Sequence, residues 1–297
     1  MTEQISELTH MSLCAGYGGI DLGLTAALTH TKTVCYSEIE AYAIENLIAK
    51  MEAGLLDPAP IWTDLKTLPW HMFVGKVDIL SGGFPCQPFS AAGSRKADED
   101  PRHLWPFIVK GIKELQYPPI LFFENVAGIL SAKLKSEGWS DPQGTPVLLH
   151  ILRELERLGY YASAGIFSAS EVGAPHQRKR VFIMGVNASL LKNSVDYVNG
   201  LIDVSKQNQK QILWPASRGE DQLPWEPPRV VSPEDIEQYE NADEDDEVAQ
   251  YKKLCVSVDN RTDELRLLGN GVVPATATKA FTHLWKDIVS HVDFAKS

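Results

Sequence analysis

The chain has 297 residues, 44% of them apolar, which is enough for one large domain and a small second one. No run of about 18 apolar residues occurs, so no helical membrane span is expected, and the four scattered cysteines (Cys14, Cys35, Cys86, Cys255) form no Cys-x-x-Cys pair, against a zinc site or disulfide framework and for a reducing cytosol. The net charge of −11 opposes phosphate binding, but nine acidic residues lie within Ser232 to Glu247, and the remainder stands at −2, so global charge excludes little. The first residues, Met1 to Glu7, are polar and acidic, unlike a signal peptide.

Along the first half, strand-like and helix-like patterns alternate, the sign of a parallel α/β sheet. A short strand over His10 to Cys14 runs into Ala15-Gly16-Tyr17-Gly18-Gly19, then a helix from Ile20 to about Leu28. Thr33 to Ser37 reads as a second strand, ending at Glu38, with a helix from Ala41 to Lys50 behind it. Val77 to Ser81 is a strand leading into Gly82-Gly83-Phe84-Pro85-Cys86-Gln87-Pro88-Phe89-Ser90. Ile120 to Phe123 is another, ending at Glu124-Asn125-Val126. Val147 to Leu158 carries apolar residues at helical spacing, and Tyr160 to Ser168 and Arg180 to Val186 are two further strands around a loop at 173–179. Residues 187–262 lose periodicity. Pro274 opens an amphipathic helix that runs to Val292.

The glycine-rich turn between a strand and a helix lets backbone approach a ligand, and the helix N-terminus favours negative charge. Glu38, ending the next strand, stands where an acid can bind ribose hydroxyls. The spacing departs from Gly-x-Gly-x-x-Gly, which counts against a nicotinamide dinucleotide. Asp64 could accept from an adenine amino group, but taken by itself it reads first as a turn or cap residue. Cys86 lies between Pro85 and Pro88, which restrict the directions its thiol can take. Most free cysteines are buried small hydrophobes, and that alternative stays open for Cys86. Glu124, beside Phe122 and Phe123, should have a raised pKa suited to a proton donor, or else serve as a cap. Arg178-Lys179-Arg180 is either a solvated cluster or a functional one; Arg180 opening an apolar strand favours function.

These pieces together resemble the DNA (cytosine-5)-methyltransferase family. Leu13 to Leu24 is similar to its S-adenosylmethionine motif, and Gly83 to Ser90 to its Pro-Cys nucleophile motif. Glu124-Asn125-Val126, Gln177-Arg178-Lys179-Arg180 and Leu268-Gly269-Asn270-Gly271-Val272-Val273-Pro274 follow in the family's order. The resemblance implies a Rossmann-like methyltransferase sheet with helices on both faces and a small irregular target-recognition region. The expected division is a catalytic and cofactor-binding domain over 1–186, a recognition region over 187–264, and a C-terminal helix over 265–297 that returns to the first.

The implied reaction moves a methyl group from S-adenosylmethionine to carbon 5 of a cytosine flipped out of double-stranded DNA. Cys86 is the implied nucleophile, Glu124 the acid, Arg180 the clamp on the cytosine carbonyl, and Arg178 a charge favouring the thiolate. Cys14, Ala15, Gly16, Gly19, Ile20, Glu38, Ile39, Asp64, Leu65, Gly83, Pro85 and Asn270 are the implied cofactor contacts. Gln87, Ser90, Arg95, Lys96, Arg218 and Arg229 are candidates for DNA, with Trp214, Trp225 and Arg261 also in the recognition region. Arg95 and Lys96 belong to a small polar stretch that is either a closing loop or an ordinary flexible one. The chain departs from the family's habit at Ser12, Cys14, Ile39 and His176, none of which is a catalytic group.

A monomeric cytoplasmic enzyme of bacterial or phage origin is expected, with a cognate restriction enzyme as a conceivable partner. An RNA cytosine methyltransferase and a catalytically silent DNA-binding relative are the alternatives. A dinucleotide oxidoreductase accounts for the glycine loop alone.

Overall fold

The computed structural model describes residues 7–85, 104–133, 145–188, 199–200, 202, 267 and 269–294. In chain order the strands and helices are β1 (Leu8–Leu13), α1 (Gly19–Ala27), β2 (Thr31–Ser37), α2 (Ala41–Glu52), β3 (Ile61–Trp62), β4 (Ile79–Gly83), α3 (Trp105–Glu114), β5 (Ile120–Val126), α4 (Val147–Arg157), β6 (Tyr160–Phe167), β7 (Arg180–Asn187) and α5 (Pro274–Phe294). Two units divide the chain, Met1–Ile212 with Gly271–Ser297, and Leu213–Asn270. Every strand and helix named here belongs to the first.

The seven strands form one sheet in the order β3-β2-β1-β4-β5-β7-β6. The five strands β1 to β5 pair in parallel, whereas β7 is antiparallel to both β5 and β6. A wholly parallel sheet is therefore not what forms. The β6–β7 connection holds one 3₁₀ turn, Ala169–Val172, and no crossover helix, so the chain returns beside β6 in the opposite sense.

Strand β5 shows why helices cover both faces. Side chains alternate along a strand. Ile120 and Phe122 join α1 and α5 in one core, while Leu121 and Phe123 join α3 and α4 in the other. All four are fully buried, so the strand reads as a continuous apolar run. The result is a Rossmann-like α/β sheet.

Two elements escape the reading of the sequence. β3 has only two residues, too few for any alternation to register. α3 begins at Trp105 with Pro106 in its first turn and buries Trp105, Ile108, Val109 and Ile112, a helical spacing that was legible in principle.

Helices α1 and α5 meet closely at Gly23. A Cβ there would stand 2.6 Å from Ala277 Cβ and 2.7 Å from the Pro274 carbonyl oxygen. Thr278 Oγ1 donates to the Gly23 carbonyl at 2.9 Å, which locks the crossing. Gly23→Ala should cost about 1–3 kcal/mol through overpacking, despite alanine's better helix propensity. Urea unfolding measures it; unchanged or increased stability would contradict the crossing.

Candidate active site

The C-terminal ends of β1, β4 and β5 share one edge of the sheet. Leu13 pairs with Gly82, and Gly83 with Glu124. β7 enters at this edge, where Arg180 pairs with Val126 and Phe182 with Glu124. Crevices at such strand ends are where open α/β sheets hold ligands.

Glu124 is 4% exposed. Arg180 Nε stands 2.9 Å from its Oε1. Burial pushes the carboxyl up to about 7, with Arg180 and then Arg178 pulling the other way. The acid therefore changes protonation near neutrality, the range useful to a proton donor. Arg178 has a left-handed backbone, φ 35°, and its Nη2 donates to the Gly271 carbonyl. Burial lowers its pKa, and Arg180 lowers it further.

Asn125 ties this edge to the segment that precedes Cys86. Its Nδ2 donates to the Phe84 carbonyl at 2.9 Å, and its Oδ1 accepts from the Val126 N–H at 2.9 Å. It is 2% exposed, and its bond to Phe84 forms away from water. Phe84 is anchored by its ring, 5.5 Å from Trp105 and 5.9 Å from Phe123 between centroids. Phe84 is thus fixed by one amide and an aromatic cluster. The sequence does not mark Asn125 for this role, because a motif shows neither the burial nor the direction of an amide.

The glycine turn is held from the second strand. Glu38 Oε2 accepts from the Gly16 N–H at 2.7 Å, and Oε1 accepts from Ile39 and Glu40 N–H at 2.8 and 2.9 Å. Three donors leave lone-pair capacity on a carboxylate for one more. Gly16 has φ +55° and open space where a Cβ would point. Gly18 caps α1, whose N-terminus begins at Gly19. Ile39 is 71% exposed immediately after Glu38. An acid with spare capacity, an exposed apolar side chain and an open glycine turn at a helix N-terminus fit a nucleoside-bearing cofactor with a charged end.

Other proposed contacts differ in character. Ile20 and Leu65 are buried in the core. Asp64 caps the 3₁₀ turn Leu65–Thr67 by accepting from Lys66 N–H at 2.9 Å. Ala15 donates through its N–H to the Ser37 carbonyl, and Pro85 is exposed. Asn270 is exposed and belongs to the second unit. Cys86, Gln87, Ser90, Arg95, Lys96, Arg218 and Arg229 lie outside the described residues, as do Trp214, Trp225 and Arg261. Cys14 has φ 49° and a thiol pushed up to about 12 by burial and by Glu38. Burial likewise pushes Cys35 up to about 11. Neither can supply a thiolate at neutral pH.

Beneath the turn lies a buried polar network. Ser12 Oγ donates to Asp21 Oδ2 at 2.9 Å, and His10 meets Thr33 Oγ1 at 3.0 Å and Ser81 Oγ at 2.7 Å. Burial lowers His10 to about 3 and raises Asp21 to about 7. Ser12, one of the departures noted above, thus serves as a donor to Asp21.

The model of the C-5 cytosine-specific DNA methylase family matches residues 8–267. The chain belongs to this family. It is 33% identical over 187 residues to the Type II methyltransferase M.NlaX of Neisseria lactamica, covering 63% of this chain and 53% of that protein. It is 32% identical over 215 residues to the orphan methyltransferase M.Rho11sI of Bacillus phage rho11s, covering 70% and 39%. The chain therefore spans about half or less of the length of these relatives. Among solved structures it is similar to the S. pombe Dnmt2 methyltransferase, with TM-score 0.47, 22% identity, and 61% and 50% of the two chains covered. Among the described residues, no helix is long and apolar enough to cross a membrane, and no group of His, Cys, Asp and Glu could hold a metal.

Asn125→Ala leaves the Phe84 carbonyl and the Val126 N–H without their partner and should cost about 1–3 kcal/mol, read by denaturant unfolding. A pH effect follows from Glu124. It titrates at about 7 in the fold against 4.5 ordinarily, so the folded state binds its proton more tightly. Its contribution is therefore fully present below about pH 4.5 and lost as pH rises through 7. In Glu124→Gln, the stability lost between pH 5 and 8 should shrink by on the order of 1–3 kcal/mol; Asp21 adds a slope in the same direction, while His10, with its pKa lowered by burial, opposes both below its ordinary pKa of 6.5 in wild type and variant alike. An unchanged slope would refute the raised carboxyl.

Proposed function

We propose that this protein is a DNA (cytosine-5)-methyltransferase that methylates carbon 5 of a cytosine turned out of double-stranded DNA. The observation that carries the proposal is the buried Glu124–Arg180 pair on β5 and β7, beside the end of β4, where Asn125 of β5 holds the carbonyl of Phe84, two residues before Cys86. Membership of the family and the names of its relatives support the same reaction.

Cytosine is too electron-poor at carbon 5 to attack an electrophile unaided. In the proposed sequence the Cys86 thiolate bonds to carbon 6, and the ring's electron pair shifts toward nitrogen 3 and carbon 5. Glu124, protonated through burial, donates to nitrogen 3 and offsets the charge developing there. Arg180 holds the carbonyl oxygen of the base as well as orienting the carboxyl. S-adenosylmethionine, when bound, supplies the electrophilic methyl group. Gly16, Gly19, Glu38, Ile39 and Asp64 are the residues proposed to hold it, Glu38 through its remaining acceptor capacity. Carbon 5 then loses its proton to a base, and the carbon 6–sulfur bond breaks to restore the thiolate. We assign target reading to residues 187–264.

Cells expressing the chain should show methylated cytosines in one sequence context by bisulfite sequencing. Full-length protein should form a denaturation-resistant adduct with DNA containing 5-fluorocytosine, and none with RNA containing it. Cys86→Ala should lose the adduct and turnover while keeping cofactor binding by calorimetry. Turnover by Cys86→Ala would remove the nucleophile assignment, and adducts with RNA alone would move the substrate to RNA.

A further inference from the structure

Tyr17 lies in the middle of the glycine turn, yet its side chain is committed elsewhere. Its ring covers Gly271, where a Cβ would come 1.7 Å from Tyr17 Cε1, so no other residue fits under it. The Tyr17 hydroxyl donates to the Val272 carbonyl. The neighbouring carbonyl, that of Gly271, accepts from Arg178 Nη2. Two consecutive carbonyls are thereby held, one by the glycine turn and the other by the segment before β7.

Lys50 secures the arrangement from α2. Its Nζ donates to the Tyr17 carbonyl at 2.9 Å and stands 5.1 Å from the centre of the Tyr17 ring, with Asn46 Oδ1 as a further acceptor. A lysine bonded to a residue's carbonyl and placed over its ring fixes both the main chain and the side chain. Because Tyr17 follows Gly16, whose N–H is bonded to Glu38, the fixed segment continues into the proposed cofactor turn.

We propose that Tyr17 and Lys50 are positioning residues that hold the Gly271–Val272 segment, and through it the Arg178 guanidinium, in register with Glu124. The proposal rests on the reading of Glu124 as the acid of the methyl transfer. Among the described residues, the charged and titratable groups acting on Glu124 are Arg180, at 2.9 Å, and Arg178, with Tyr17 sensing all three. The Tyr17 phenol is itself pushed up to about 12 by burial, so it remains a donor throughout the working range. If Tyr17 served only to fill space over Gly271, a phenylalanine would do as well.

The test is Tyr17→Phe in the full chain, with Lys50→Met as the second variant because it keeps the stem and loses the charge. The first measurement needs neither cofactor nor DNA. Thermal unfolding is followed from pH 5 to 9 for each protein with and without Glu124→Gln, and the difference isolates the titration of Glu124. The expected result is an upward move of that titration by roughly half a unit or more, as the opposing Arg178 charge is released from its place. The second measurement is the pH profile of kcat/KM, whose upper limb should move the same way while its maximum falls about fivefold, the equivalent of one hydrogen bond. A Glu124 titration identical to wild type in both variants overturns the proposal, even if activity falls uniformly. Should wild type transfer no methyl group, the functional reading fails, while the unfolding measurement still decides the positioning role.

Discussion

The contact between Glu124 and Arg180 depends on β7 running against β5. Were β7 parallel, its first residue would lie at the far end of the sheet and the guanidinium could not reach the carboxyl. The antiparallel insertion instead brings Arg180 to the strand end where Glu124 emerges. A buried ion pair adds little net stability, because desolvation offsets most of its attraction. What it does here is orient an acid whose proton burial has made available near neutrality.

Around that pair the sheet edge is fastened by bonds that join segments distant in sequence. Asn125 reaches back 41 residues to Phe84, Arg178 reaches forward 93 to Gly271, and Tyr17 reaches 255 to Val272. Each donor meets a main-chain carbonyl, so the link fixes backbone instead of a mobile side chain. The glycine turn, the root of the cysteine segment and the C-terminal return thus become parts of one framework. Rigid elements of this kind hold reacting groups in place more closely than loops do.

Burial supplies the electrostatics in both polar clusters. Glu124 and Asp21 are each raised to about 7, and His10 is lowered to about 3, all led by desolvation. The clusters differ in what surrounds them. Asp21 and His10 are enclosed by Ser12, Thr33 and Ser81 within the fold. Glu124 sits at a strand end with two arginines acting on it.

The alternation of strands and helices, the glycine turn, and the order of chemical groups along the chain are legible in the amino-acid sequence, because hydrophobic period and glycine placement are local properties. The sequence also indicates the apolar setting of Glu124 from its two phenylalanine neighbours. It takes the folded chain to show that β7 runs antiparallel, that Asn125 tethers Phe84, that Asp64 caps a turn, and that Tyr17 and Arg178 hold adjacent carbonyls. These depend on which distant backbone groups become neighbours once both faces of the sheet are covered. No local pattern encodes such a partner, since a polar side chain looks the same in sequence whether it faces water or a carbonyl 255 residues away.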